Sequence, residues 1–491
     1  MLLHNLILNN LLNQDKTAIL YYDNEQNEYI SLSYHELYNV ISNLISYLLK
    51  QGINFKDTII VSSTNNLEFA LIFLASLFLN LTIVPLPQNT PKEFLEKVKN
   101  IIFSDIILNE KYLKHIKSQI DDWKKTQSDF LNNFLKRRFI DASKPYIITF
   151  SSGSTGDPKP ITFSQNTKLK RIFLSVIKYF NLHKESNIMF VTPLYHSLAQ
   201  RFLLTPLVLG STCIFMKKYN LENFLEISKQ FNISLVPLVS TQVEDILSLD
   251  KKELLKLPFK YVLSSSNTLR DKPRETYLNI KNVVNFELFE TYGTSELGFV
   301  SILSLKKESK KYKSVGKPLP YVKVKIDGNK IGEILCKSET LFEGYYKRND
   351  LNSKYFTKDG YFRTGDLGYL DEDGYLYFKG RKKDVIISGG INIYPEDIEK
   401  IIKQYPRVEE AVVFGYPHSR LGEIICAVIK PKEKLTKLEI YNYLKNKLLH
   451  YQIPHVILFA KDIPKTALGK YSRINLKKLY SKEIERWSKL M

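Results

Sequence analysis

Through its first 360 or so residues the chain alternates between runs that suit helices and short apolar runs that suit strands, and this rhythm limits the fold more than any other feature. Leu37–Lys50 is amphipathic at helical spacing, and Asp57–Ser62, rich in Ile and Val, reads as a strand. Glu68–Phe78 reads as a helix, Leu81–Pro85 as a strand, Leu221–Phe231 as a helix and Ser234–Val239 as a strand. Strands that are apolar almost throughout, rather than on alternate residues, belong to sheets covered on both faces. The expectation is an α/β fold of layered β-α sheets. The stretch from Phe69 to Pro87 is the nearest thing to a membrane span, but Asn80 and Thr82 interrupt it and Pro85 and Pro87 close it. A buried helix running into a buried strand accounts for it better, so no integral membrane segment is expected.

A chain of 491 residues is too long for one hydrophobic core. Near residue 380 the texture changes. Asp371-Glu372-Asp373-Gly374 signals a turn, and Tyr375–Lys379 a short strand. Beyond it, Pro395–Gln404 and Lys437–Leu449 read as helices, and Val408–Phe414, Glu423–Ile429 and His455–Ala460 as strands. This predicts a large N-terminal domain, 1–380, and a smaller α+β C-terminal domain, 381–491, with its own core.

Residues 147–159 read Ile-Ile-Thr-Phe-Ser-Ser-Gly-Ser-Thr-Gly-Asp-Pro-Lys. Gly153 and Gly156 let the backbone turn its N–H groups toward an anion. Ser151, Ser152, Ser154 and Thr155 add hydroxyl donors, and Lys159 adds a point charge. The segment suits a phosphate chain, although its spacing is not that of the GxxxxGK[ST] loop. Taken alone it is equally a polar turn between strands. Four further segments weigh on that choice: Tyr292-Gly293-Thr294-Ser295-Glu296; Tyr361-Phe362-Arg363-Thr364-Gly365-Asp366; Gly380-Arg381-Lys382-Lys383-Asp384 with the Ile386–Glu399 run after it; and Pro464 to Arg473, which contains Gly469-Lys470.

In this order and at these separations, the five segments resemble the adenylate-forming superfamily: acyl-CoA synthetases, aryl-CoA ligases, luciferases and the adenylation domains of peptide synthetases. The resemblance spans most of the chain. It implies the adenylate-forming fold, with a mobile C-terminal domain hinged at Lys383. It also implies an ATP-dependent acid–thiol ligase that makes an acyl adenylate, releases pyrophosphate and hands the acyl group to a thiol. ATP, Mg²⁺ and coenzyme A are the implied cofactors, and fatty acid metabolism a natural setting. Phosphoryl displacement asks the protein mainly for positioning and charge neutralisation. The resemblance assigns the 151–159 loop, with Thr155 and Lys159, to the β- and γ-phosphates. It gives Glu296 to Mg²⁺, Tyr292 to adenine, Gly293 to the ATP/AMP site, and Thr294 and Ser295 to the α-phosphate or the carboxylate. Asp366 and Arg381 would hold the ribose. Lys470 would be the catalytic cation between the carboxylate and the α-phosphate. Ser388, Gly389 and Gly390 would face the pantetheine arm in the second step. The chain departs from the family at Pro160, Ser295, Ser338 and Ser264-Ser265-Ser266-Asn267, where relatives have glycine, threonine, glycine and a Gly/Ala-rich strand end.

The resemblance places the acyl pocket around Pro193-Leu194-Tyr195-His196-Ser197, with Gly293 also lining it. No Asp lies between Val191 and Gly210 to pair with a substrate ammonium, which favours an acid without an α-amino group. Arg201 would meet a second carboxylate on the substrate or, more simply, line a helix surface. A formal charge of +20 suits polyanionic ligands and an acidic carrier protein, whose phosphopantetheine is the alternative acceptor. The lysines are spread along the whole chain, so no nucleic-acid partner is expected. A nucleotide-binding protein without catalysis is a further alternative, disfavoured by intact Lys470, Glu296 and Asp366. Cys213, Cys336 and Cys426 are isolated in apolar stretches, which argues for a reducing compartment. The eight histidines form no HxH or HxxxH pair, and the N-terminal residues show no basic signal region, so the cytoplasm is the expected location.

Overall fold

A computed structural model of the chain describes residues 2–152, 158–265, 269, 271–389, 391–465 and 471–488. The chain divides into two compact units. The first holds Met1–Val324, Cys336–Phe362 and Gly374–Leu376, and the second Lys325–Leu335, Arg363–Asp373 and Tyr377–Met491.

The first unit is built on two large sheets. One has nine strands in the order Lys317–Pro318, Gly298–Ser304, Glu287–Thr294, Phe259–Ser265, Ile233–Val239, Asn187–Phe190, Cys213–Met216, Thr17–Asp23 and Glu28–Ser33. Its middle strands run parallel, and antiparallel pairs close both ends. The other has six strands in the order Gly344–Tyr345, Pro158–Ser164, Pro145–Ser152, Thr82–Pro87, Thr58–Ser63 and Ile107–Leu108. Here Pro145–Ser152, Thr82–Pro87, Thr58–Ser63 and Ile107–Leu108 run parallel, and the two pairings made by Pro158–Ser164 at the other end are antiparallel. The expected layered β-α architecture is therefore present.

Local chemistry sets the helices. Tyr34–Lys50 starts at a capping box, in which Ser33 and Glu36 satisfy each other's backbone N–H groups. Leu67–Phe78 is capped by Asn66, and every one of its residues is buried. A helix apolar all round belongs inside the protein, and this one leads into the buried strand Thr82–Pro87, as its sequence suggests. Among the described residues no helix is long and apolar enough to cross a membrane.

The second unit carries most of a four-stranded sheet, Val322–Asp327, Gly332–Ser338, Phe362–Leu370 and Leu376–Arg381. It also holds a five-stranded sheet made by Ile391–Ile393, Ile386–Ser388, Gly422–Pro431, Val408–His418 and, parallel to Gly422–Pro431, Val456–Phe459. The helices Pro395–Lys403 and Lys437–Lys445 contribute Ile398, Ile402, Ile440 and Leu444 to a core with Val413, Ile425 and Ile429. The second helix ends at Lys445, four residues before the expected Leu449. The chain then turns through a short 3-10 segment, His450–Gln452.

Phe73 is fully buried and meets Tyr146 edge-on, with ring centroids 5.4 Å apart. Phe73→Ala is expected to destabilise the first unit by about 3–5 kcal/mol, read as a lower first transition in calorimetry of the whole chain.

Candidate functional site

In the first unit, Pro145–Ser152 and Pro158–Ser164 run antiparallel, with Ser151 opposite Lys159 and Ser152 opposite Pro158. The described ends of the candidate phosphate loop, Ser151-Ser152 and Pro158-Lys159, belong to this hairpin. Gly153, Ser154, Thr155 and Gly156, assigned to that loop, lie outside the described residues. Pro160 sits within the second strand, opposite Phe150, and its carbonyl accepts from the Tyr346 N–H at 2.8 Å. The proline therefore continues the strand rather than breaking it.

Glu287–Thr294 and Gly298–Ser304 form a second hairpin, whose turn carries Ser295 and Glu296. The register slips between Tyr292 and Gly293, which brings Gly293 against the opposite strand. A Cβ on Gly293 would lie 1.9 Å from the Gly298 carbonyl oxygen, and Gly298 itself has φ +78°. Glycine at both positions is thus a steric requirement of the turn. Thr294 Oγ1 accepts from the Leu297 N–H at 3.2 Å. Tyr292 is buried in the strand before the turn.

Glu296 Oε1 accepts from the Tyr345 hydroxyl at 3.0 Å. Burial and the adjacent Glu296 carboxylate push the Tyr345 phenol well above its ordinary range, so Tyr345 stays a hydrogen-bond donor. Lys159 Nζ donates to the Tyr355 hydroxyl at 2.5 Å, lies 4.1 Å from that ring centroid and 6.0 Å from the Tyr345 centroid. Lys159 and Glu296, far apart in sequence, are thus held by two neighbouring tyrosines whose ring centroids lie 5.6 Å apart. Among the described residues no cluster of three His, Cys, Asp or Glu exists that holds a metal. A single carboxylate with a lysine in its neighbourhood suits Mg²⁺, which keeps most of its ligands as water and phosphate oxygens. Glu296 fits that role.

Sequence reasoning missed the group that holds this turn. Arg171 is buried and donates from Nη1 to the Ser295 carbonyl at 3.1 Å, from Nη2 to the Glu296 carbonyl at 2.5 Å and from Nε to the Thr340 carbonyl at 2.8 Å. It stacks on Phe163 at 4.4 Å. Burial lowers its pKa from 12.5 to about 9, which leaves it cationic at neutral pH. Lys168, one turn earlier, is buried and donates to Gln200 Oε1 at 2.7 Å. The available signal was a pair of cations at i and i+3 on a helix whose polar face they do not share. Ser338, a departure from the family, accepts from the Thr340 N–H at 3.1 Å and so helps shape the segment that Arg171 grips.

In the expected acyl region, His196 is the N-cap of the helix Ser197–Leu209, with its ring 4.6 Å from that of Tyr195. Arg201 does not line the surface of that helix: it is 3% exposed and stacks on Phe299 at 4.3 Å. Ser264 is buried in the sheet beside Thr291, whose hydroxyl donates to the Ser264 carbonyl at 3.2 Å. Ser266 and Asn267 lie outside the described residues.

In the second unit, Asp366 is buried and pairs with Arg381 at 2.8 Å. The two residues expected at the ribose are thus neighbours. Gly365, at φ +73°, makes the turn before Asp366, and its N–H donates to Glu333 Oε1 at 3.2 Å. Glu333 is buried, and its Oε2 also accepts from Arg363 at 3.1 Å and Lys382 at 2.9 Å. This hub was not foreseen. Lys383 is exposed in the 3-10 turn Lys382–Asp384. Ser388 ends a short strand, and the Gly389 N–H donates to the Leu421 carbonyl at 2.9 Å; Gly390 lies outside the described residues.

Lys470 also lies outside them, but the residues on either side are fixed. Lys465 and Tyr471 form an antiparallel bridge, and the Ser472 N–H donates to the Pro464 carbonyl at 3.0 Å. Arg473 donates to the Val413 carbonyl at 3.1 Å, to Asp384 at 3.2 Å and to Glu399 at 2.8 Å, and lies 3.5 Å from Glu396. Three carboxylates around one guanidinium leave an excess of negative charge. Burial, with Glu399 and Asp384 nearby, raises Glu396 from 4.5 to about 7 in spite of Arg473.

Residues 10–346 match the model of the AMP-binding enzyme family, and residues 397–470 that of the AMP-binding enzyme C-terminal domain. The chain is 29% identical over 480 residues to a 2-succinylbenzoate–CoA ligase of Oceanobacillus iheyensis, covering 95% of this chain and 97% of that protein. It is 28% identical over 479 residues to an uncharacterized acyl–CoA ligase of Bacillus subtilis, covering 94% and 95%. Among solved structures, the o-succinylbenzoate CoA synthetase of Bacillus subtilis in complex with its acyl-adenylate intermediate superposes with a TM-score of 0.84 at 21% identity, over 96% of this chain and 98% of that one. ATP-bound MatB from Rhodopseudomonas palustris gives 0.82 at 22% identity, over 98% and 99%. These likenesses establish the adenylate-forming fold.

Arg171→Ala removes the donor to three carbonyls. It is expected to cost about 2–4 kcal/mol and to lower acid-dependent turnover more than about tenfold, with Arg171→Lys intermediate, in paired melting and kinetic measurements. Glu396 makes a second expectation. Because its folded pKa lies above its ordinary 4.5, its protonation stabilises the second unit below that pH, and the contribution is lost as pH rises through about 7. Glu396→Gln should therefore raise the melting temperature of that unit at pH 8 and change it little at pH 4.5, by calorimetry.

Proposed function

Because the chain belongs to the AMP-binding enzyme family, we propose that it activates a carboxylic acid as an acyl adenylate and passes the acyl group to the thiol of coenzyme A. A carboxylate oxygen attacks the α-phosphorus of ATP, the bond to the β-phosphate breaks and pyrophosphate leaves. The thiol then attacks the acyl carbon, and AMP leaves with the carboxylate oxygen that had bridged to phosphorus. The observation that carries this reading is the pairing of Glu296 with Tyr345 and of Lys159 with the neighbouring Tyr355. A cation and a hard carboxylate this close together support a site for a magnesium-bound triphosphate, which needs both.

In this reading, Tyr345 holds one oxygen of Glu296 and leaves the other to face a Mg²⁺, whose charge would offset that of the phosphates. Lys159 and the hydroxyls of the 151–155 loop bind the β- and γ-phosphates. Tyr292 flanks adenine, Gly293 belongs to the ATP/AMP site, and Thr294 and Ser295 contact the α-phosphate. Asp366, paired with Arg381, accepts from the ribose hydroxyls. Lys470 neutralises the charge that builds as pyrophosphate departs. Lys383 is the proposed hinge between domains 1–380 and 381–491, and Ser388, Gly389 and Gly390 take the pantetheine arm. His196 and Gly293 belong to the acyl pocket. The likeness to CoA ligases over nearly the whole chain supports coenzyme A as acceptor. The three cysteines are free and buried, which suits the cytoplasm.

Acid-dependent ATP–pyrophosphate exchange tests the reading directly: one or more acids should support it, and exchange with none would overturn it. Lys470→Ala is expected to lower exchange by orders of magnitude while leaving thioester formation from supplied acyl-AMP largely intact. Equal loss in both steps would contradict the division of labour.

A further inference from the structure

Three cations lie buried together in the first unit: Lys168, Arg171 and Arg201. Two have partners. Lys168 donates to Gln200, and Arg171 to three carbonyls. Arg201 differs: among the described residues neither its Nε nor its Nη1 has an acceptor. One face of its guanidinium is covered by Phe299 at 4.3 Å, and the hydroxyl of Tyr321 is buried nearby.

A buried guanidinium without an acceptor is expensive. The nearby carboxylates do not relieve it. Glu343 Oε1 accepts from Ser164 and Thr167, and Glu296 Oε1 from Tyr345. The other charges around Arg201 are like charges, from Arg171 and Lys168. The fold therefore buries a cation for which the described residues provide no anion.

The position of Arg201 connects this vacancy of charge to the substrate. It stands five residues after His196, on the helix that begins the expected acyl region. Its Nη2 lies 3.0 Å from where a Cβ on Gly298 would be, so it abuts the end of the turn that carries Glu296. An anion received by Arg201 would lie beside the carboxylate being activated.

We infer that Arg201 receives a second anionic group of the acid, a carboxylate, so that the enzyme selects dianionic over monoanionic substrates. This rests on the acid-activating function proposed above and adds the substrate class. A carboxylate supplies the acceptors that Nε and Nη1 lack and restores charge balance to the buried cluster. Rejection of a monoanionic acid follows from leaving the guanidinium unpaired, the same asymmetry by which buried polar groups discriminate between analogues.

The test is ATP–pyrophosphate exchange by the full chain with size-matched pairs: butyrate and succinate, pentanoate and glutarate, benzoate and phthalate. For one or more pairs, kcat/KM for the dianion should exceed that for the monoanion by about 100-fold. Arg201→Gln should reduce that ratio by about 100-fold and Arg201→Lys by less. A ratio is insensitive to partial unfolding, and the wild-type pairs stand without any variant. Preference for the monoanion in every pair, or a ratio unmoved by Arg201→Gln, overturns the inference while leaving acid activation intact. Exchange with no member of the panel overturns the proposed function itself and this inference with it.

Discussion

The turn that presents Glu296 depends on a single buried guanidinium. Arg171 donates to the carbonyls of Ser295, Glu296 and Thr340, and so ties the hairpin turn to the segment after Cys336. Peptide carbonyls bear only partial charge, so the arginine is held by several of them rather than by one carboxylate. That choice leaves the Glu296 side chain free of Arg171 and available to Tyr345. An ion pair in its place would have consumed the charge the site needs. Glycine is required at 293 because the opposite strand approaches too closely for any side chain, and at 298 because the turn there takes a φ of +78°.

The second unit solves a similar problem with the opposite sign. Buried Glu333 collects the Gly365 N–H, Arg363 and Lys382, which sets the turn before Asp366. Asp366 in turn pairs with Arg381. Each turn that carries a candidate functional acid is thus fixed through its backbone by a buried charge from elsewhere in its own unit. Such support is costly to desolvate, but it preorganises the acid before any ligand arrives. Arg473 extends the pattern to the residues beside Lys470, though there the acids outnumber the guanidinium and Glu396 remains hard to ionise.

The architecture was legible because its signals are local. Continuous apolar strands, the helix Leu67–Phe78 and the Ser33–Glu36 capping box each follow from a few adjacent residues. The candidate site residues were legible only as motifs, since Glu296 or Asp366 alone is an ordinary acid after a turn. The supporting residues were not legible at all. Arg171, Tyr345 and Glu333 act through tertiary contacts more than 20 residues away, and a lysine or arginine in so basic a chain looks like surface. Arg201 shows the same limit: helical spacing places it near the acyl region, but only packing shows that it is buried on Phe299. The end of the helix at Lys445 was misjudged because Leu448 and Leu449 continue the apolar pattern past it.

The central claim is that a carboxylate oxygen attacks the α-phosphorus of ATP. Oxygen-18 placed in both carboxylate oxygens of an accepted acid traces this bond. After one turnover with coenzyme A, mass spectrometry should find one labelled oxygen in AMP and none in pyrophosphate. Label in inorganic phosphate, with ADP as the nucleotide product, would contradict the account.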